Sequence, residues 1–153
     1  MPSYVCTTVI DRLSADRRAE IARAITRAHH ETTGAPTYFA RVQFDEVDPH
    51  VVFVGGAPLD HDHLLVFGHI RGGRDESTRS ALISAITAGV CDAADIDPRG
   101  VWVYLADLPP SQMVEFGHVL PEAGNEAAWH RALPDADRRW MASLGVERPD
   151  DTR

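Results

Sequence analysis

The sequence predicts a single α/β (α+β) domain: a tandem β-α-β repeat forming one four-stranded sheet with two helices on one face. Three observations point there. The 153 residues suit one domain better than two, and a chain of this length buries roughly 68–70% of its unfolded surface without staples. A shift of 61 positions lays Ala24-Ile25-Thr26 on Ala85-Ile86-Thr87, Ile21 on Leu82 and Arg18 on Arg79. The same shift lays residues 40–47 on 101–108 with the apolar pattern kept. Each half also reads strand, helix, strand. The expected pseudo-repeats are residues 2–60 and 61–110, followed by an extension over 111–153, all within one domain 1–153.

Residues 3–10 are apolar and β-branched, as a strand requires. Ser14 is a good N-cap, and Asp16 favours the first turn of the helix that follows. Ile21, Ile25, Ala28, His29 and Thr32 recur at helical spacing on one face, and Gly34 can close the helix. Residues 38–47 alternate and predict a half-buried strand. Residues 51–54 suggest a short strand, with Gly55-Gly56 a turn. In the second half, 64–70 predicts a strand. Asp75 caps a helix whose face holds Leu82, Ile83, Ile86 and Val90, and 101–108 is a closing strand ended by Pro109-Pro110. Short helices are expected at 125–133 and 135–144, and the polar residues 149–153 are expected to fray.

Strand–helix–strand units imply parallel pairing with right-handed crossovers. Both helices then cover one face and leave the other bare. Parallel sheets are normally covered on both sides, so the bare face predicts a closed homo-oligomer.

Composition excludes several classes. Fifteen Lys and Arg against 23 Asp and Glu leave a net charge of −8. That argues against nucleic acid or anionic membrane as partner, since both need a basic footprint. Cys6 and Cys91 are too few for a disulfide scaffold, and no spacing suggests a metal site. No apolar run approaches the ~20 residues of a membrane span. No export signal opens the chain, so a cytoplasmic protein is expected.

Six residues could carry chemistry. Pro2 follows the initiator methionine, which is generally trimmed before proline. An exposed secondary amine would then titrate near an α-amino pKa of about 7.7–8.0, suited to proton transfer at neutral pH. His29 lies on the buried stripe, where taken alone it reads most simply as a core histidine. Arg71 and Arg74 flank Gly72-Gly73 after a strand, and two guanidinium forks there can grip one carboxylate. Tyr104 sits in the closing strand and reads equally as a sheet residue. Glu115 is bracketed by Met113, Val114 and Phe116, whose desolvation would raise its pKa, although taken alone it reads most simply as a surface carboxylate.

Taken together these residues resemble the tautomerase superfamily, and within it the cis-3-chloroacrylic acid dehalogenase group. The resemblance runs over nearly the full length. It is carried by Asp11-Arg12-Leu13, Ala24-Ile25-Thr26 with Ala28-His29, Arg71-x-Gly73-Arg74, Val101-Trp102-Val103-Tyr104 and Gln112-Met113-Val114-Glu115-Phe116-Gly117. The chain has His118 where the family's dehalogenase has arginine. Its loop Gly34-Ala35-Pro36-Thr37-Tyr38-Phe39 is more like that of a weakly active homologue subgroup.

The resemblance implies an oligomeric tautomerase-like fold, a homotrimer, and hydration or hydrolytic dehalogenation of a small anionic 2-alkenoate without metal or organic cofactor. Arg71, Arg74 and His29 would bind the carboxylate. Glu115 and Tyr104 would activate a water, and Pro2 would protonate carbon. Neutral Pro2 would act instead as a base, giving enol–keto tautomerisation of a 2-oxo acid such as phenylenolpyruvate. A cytokine-like binding role is a third reading, which would not need Glu115 and Tyr104 together.

Overall fold

A computed structural model describes residues 2–144. Met1, whose removal the sequence raises, and the polar end at 149–153 lie outside the described residues. The first half runs β1 (Ser3–Val9), α1 (Ala15–Thr33), β2 (Arg41–Val47) and a small hairpin of β3 (Phe53–Val54) and β4 (Ala57–Pro58). The second runs β5 (Leu64–Arg71), α2 (Glu76–Ala94), β6 (Val101–Leu108) and a hairpin of β7 (Val114–Glu115) and β8 (His118–Val119). Two short helices, α3 (Glu126–Ala132) and α4 (Asp135–Ala142), complete the chain.

The caps lie where the sequence puts them. Ser14 accepts from the Arg17 amide, Gly34 closes α1 in the left-handed region at φ 69°, and Asp75 accepts from Thr78. The sheet order is β2-β1-β5-β6. Each half pairs in parallel, Ser3 beside Arg41 and Leu64 beside Val101. The halves meet through an antiparallel β1–β5 junction, Ser3 opposite His69 and Tyr4 opposite Gly68. The sheet is therefore mixed, since two parallel units join here head to tail. This junction sets the start of β1 beside the end of β5.

Tyr4, Cys6, Leu64, Val66 and Ile70 from the strands pack on Ile21, Ile25, Leu82, Ile86 and Val90 from the helices. Burying each of the larger aliphatic side chains contributes about 1.5–3 kcal/mol. On the other face, among the described residues, Leu65, Phe67, Trp102 and Tyr104 have no helix over them. Trp102 keeps 38% and Tyr104 49% of its surface exposed.

The 61-residue period holds further than the second strand. Helices α1 and α2 begin and end 61 apart, and so do both strands of hairpins β3–β4 and β7–β8. The 61-residue spacing thus runs on as far as Val119. The first strands differ in phase. Tyr4 pairs with Val42 and Val66 with Val103, so β1 and β5 correspond at 62. The turn before α1 holds the additional residue.

Some boundaries move. The strand expected from Tyr38 begins at Arg41. Pro36 starts a 3-10 turn, Thr37–Phe39, closed by the Phe39 amide on the Pro36 carbonyl at 3.2 Å. Phe39 is buried in a separate aromatic cluster, not in the sheet. Ile10 falls outside β1 and is 56% exposed, and Ile83 sits at the rim of the α2 face, 36% exposed. Asn125, Leu133 and Leu144 flank their helices. Cys6 is buried and Cys91 half-buried, both as free thiols.

Candidate active site

The antiparallel junction gathers the site. Pro2 is fully buried at the head of β1, its carbonyl accepting from the Arg41 amide at 3.0 Å. By the register it stands beside Ile70 and Arg71 at the end of β5. Arg71 is 3% exposed. It donates from Nη1 to the Pro121 carbonyl at 2.8 Å and from Nη2 to the Glu126 carboxylate. Its Nε is buried and has no hydrogen-bond partner among the described residues. Arg71 thus already has an internal carboxylate on one of its terminal nitrogens, because α3 folds back over the end of β5. Arg74, on the turn that Gly73 makes at φ 95°, is half-buried. Burial and the charge of Arg71 lower its pKa, against the pull of Glu126.

His29 projects from α1 into this cluster, 4% exposed, with Nδ1 2.8 Å from the Tyr4 hydroxyl. Burial, then the charges of Arg74, the amino terminus and Arg71, hold its imidazole neutral, its pKa pushed down to about 3. Burial drives the Tyr4 hydroxyl upward, so it stays protonated. Where Tyr4 donates to Nδ1, the hydrogen of the neutral imidazole is on Nε2, which is then a neutral donor.

Glu115 comes from the β7–β8 hairpin, which turns through Phe116 at φ 53° and Gly117 at φ 82°. The equivalent hairpin in the first half uses Gly55 and Gly56 at φ 62° and 83°. Phe116 thus holds a left-handed conformation that is costly for a bulky side chain. Its ring packs on Phe39 at 5.9 Å and Trp140 at 6.0 Å, which fixes the hairpin beside the site. Burial raises the Glu115 pKa, against the pull of the amino-terminal charge and Arg71. His118, at the arginine position of the resemblance, pairs with Asp137 at 2.8 Å and tethers α4 to the hairpin.

Pro2, His29, Arg71, Arg74 and Glu115 therefore converge. Tyr104 does not join them: it lies on the open sheet face against Phe67 and Trp102. Two residues escaped sequence reasoning. Tyr4 has the inward parity of β1, two residues after Pro2, and that spacing was the available signal. Glu126 lies 55 residues from Arg71 and gave none. Beside the cluster a cavity of about 530 Å³ is lined by Thr33, Pro36, Tyr38, Arg74, Glu126 and His130 among others. Among the described residues, no group of three or more His, Cys, Asp or Glu is placed to hold a metal ion. No helix there is long and apolar enough to cross a membrane.

Two fused β-α-β units with a buried proline heading β1, beside cationic side chains, define a tautomerase-type protein. Over residues 1–133 the sequence matches Tautomerase_3, described as "Putative oxalocrotonate tautomerase enzyme". The chain belongs to this family, and so to the tautomerase superfamily, in its cis-3-chloroacrylic acid dehalogenase-like group. The crystal structure of N1, a member of the cis-3-chloroacrylic acid dehalogenase family, is 31% identical with a TM-score of 0.89 over 93% of this chain and 99% of that one. Native Ps01740 is 34% identical, TM-score 0.69, over 74% and 99%. A fused 4-OT symmetric trimer shares the fold at 23% identity, TM-score 0.67, over 72% and 89%. Among curated proteins none matches the sequence.

Proposed function

We propose that this chain hydrates and dehalogenates small unsaturated acids of the cis-3-haloacrylate type, with Pro2 freed as the amino terminus. One observation carries the reading: the β1–β5 junction gathers buried Pro2 and His29 with Arg71 and Arg74, and Glu115 lies within reach of the Arg71 charge. Arg74, the free Nε of Arg71 and the neutral Nε2–H of His29 bind the carboxylate and draw electron density toward it, which makes C3 electrophilic. Ionised Glu115 takes a proton from water, whose oxygen attacks C3. Protonated Pro2 delivers its proton to C2. The resulting halohydrin loses hydrogen halide and leaves malonate semialdehyde. Neither a metal nor an organic cofactor enters these steps.

Tyr104 assists the water in this reading only if a second copy of the chain carries it to the cluster. The bare apolar face supports that assembly, as a closed homo-oligomer, and the fused 4-OT neighbours are described as trimers. A second reading, enol–keto tautomerisation of a 2-oxo acid with neutral Pro2 as base, is favoured by the two guanidinium charges beside Pro2.

Proton NMR with cis-3-chloroacrylate, propiolate and phenylenolpyruvate tests the choice. Malonate semialdehyde from either of the first two supports the leading reading, and turnover of the enol alone supports the second. Inertness toward all three, or full activity in Pro2→Ala, defeats both. Intact-mass measurement tests removal of Met1.

A further inference from the structure

The Arg71–Glu126 pair has a consequence for what the site accepts. Arg71 is buried, with Nη1 on the Pro121 carbonyl, Nη2 on Glu126 and Nε without a hydrogen-bond partner among the described residues. An unpaired donor on a buried guanidinium marks a place for a ligand acceptor. Glu126 also lines the cavity that holds Arg74, with its carboxylate on Arg71, so its charge lies between the buried cluster and that cavity. That cavity, about 530 Å³, has room for on the order of 18 waters. Size therefore does not exclude a second carboxylate from a small acid, and charge must do so. With ionised Glu115 offset by protonated Pro2, two unpaired guanidinium groups would suit a dianion. With Glu126 present the charge of Arg71 is already offset, and a second substrate carboxylate would find no unpaired cation in a partly desolvated site.

We propose that Glu126 sets the substrate class: the site takes monocarboxylic acids with an uncharged far end and rejects dicarboxylic acids. Glu126 is a specificity residue here, since discrimination often rests on a repulsive group as much as on an attractive one. The proposal rests on the acid-binding reading above and is tested by binding alone, without turnover.

Calorimetric titration at pH 8 compares cis-but-2-enoate with maleate, its four-carbon diacid counterpart. The wild type is expected to bind the monoacid at least tenfold more tightly. In Glu126→Gln, which keeps shape and an acceptor for Arg71, the ratio should fall to within about threefold of unity. Glu126→Asp, which keeps the charge, should retain the preference. Equal wild-type affinity for the two acids overturns the charge rule and leaves the acid-binding reading standing. A Glu126→Gln protein that keeps the wild-type ratio, or loses both acids, also overturns it, since Glu126 would then only position Arg71. Wild-type binding of neither acid defeats the acid-binding reading itself.

Discussion

The hydroxyl of Tyr4 stands 2.8 Å from Nδ1 of His29, with both side chains buried between the sheet and α1. The contact sets the direction in which a neutral imidazole presents its other nitrogen. Removing it in Tyr4→Phe keeps the ring and strands a buried polar atom, at a cost of about 1–3 kcal/mol. Substrate affinity should fall more than kcat, because Tyr4 acts through His29. Chemical denaturation and a KM-against-kcat comparison check both parts.

His29 makes stability depend on pH. Its pKa is about 3 in the fold against about 6.5 in an unfolded chain. The unfolded state binds the additional proton between these values, so stability rises with pH across that window and levels above it. The full effect is on the order of 5 kcal/mol, lost as pH falls from about 6.5 toward 3. His29→Gln should flatten the rise in urea midpoints measured from pH 4 to 7, and an unchanged slope would remove His29 as its source.

A methyl group at Gly68 should disturb the same pair from the neighbouring strand, on the same face of the sheet. A Cβ there would lie 2.6 Å from Cε1 of Tyr4 and 2.8 Å from Cδ2 of Leu105. Gly68→Ala is expected to cost about 1–3 kcal/mol through overpacking. It should also reproduce the affinity loss of Tyr4→Phe, although Gly68 carries no side chain to touch a substrate.

Glu115→Gln removes the proposed base and should lower turnover about 10²–10⁴-fold. In the wild type the acid limb of the rate profile should lie above the ordinary carboxylate value of about 4.3, because burial raises this group. The rate falls as pH drops through that value and Glu115 becomes protonated. A limb at or below about 4.3 would contradict the role.

The open sheet face should decide assembly. Phe67 lies on it, with its ring 6.5 Å from Tyr104. Phe67→Glu would place a charge where a second copy is proposed to pack, and sedimentation should show monomers. Turnover should fall with assembly. A wild type that sediments as a monomer would leave Tyr104 without a part.

Much of the frame was legible before any coordinates. The helical stripe Ile21, Ile25, Ala28, His29 and the caps at Ser14, Gly34 and Asp75 rest on local periodicity and local hydrogen bonds, which a sequence displays directly. The offset of 61 was visible too, but its reach into the β7–β8 hairpin was not, because Val54 and Glu115 share position without sharing chemistry. Three parts of the site were hidden. The Arg71–Glu126 pair depends on where a short terminal helix folds back. The Tyr4–His29 contact joins a strand parity to a helix phase. The separation of Tyr104 from Glu115 follows from their elements, since Tyr104 lies on the open face of β6 and Glu115 on the separate β7–β8 hairpin. Each is a tertiary relation, and only the inward parity of Tyr4 left a local trace of it.

The two halves repeat one path, and the site draws Pro2, Tyr4 and His29 from the first and Arg71, Arg74 and Glu115 from the second. The segment joining them passes through His61, an exposed residue. A nick there would separate the polypeptide into two lobes, each with its strand–helix–strand unit whole and neither holding a complete set of reactive groups. Mixed fragments would regain turnover only on docking, so enzymatic recovery would serve as a direct meter of how strongly one lobe recognises the other.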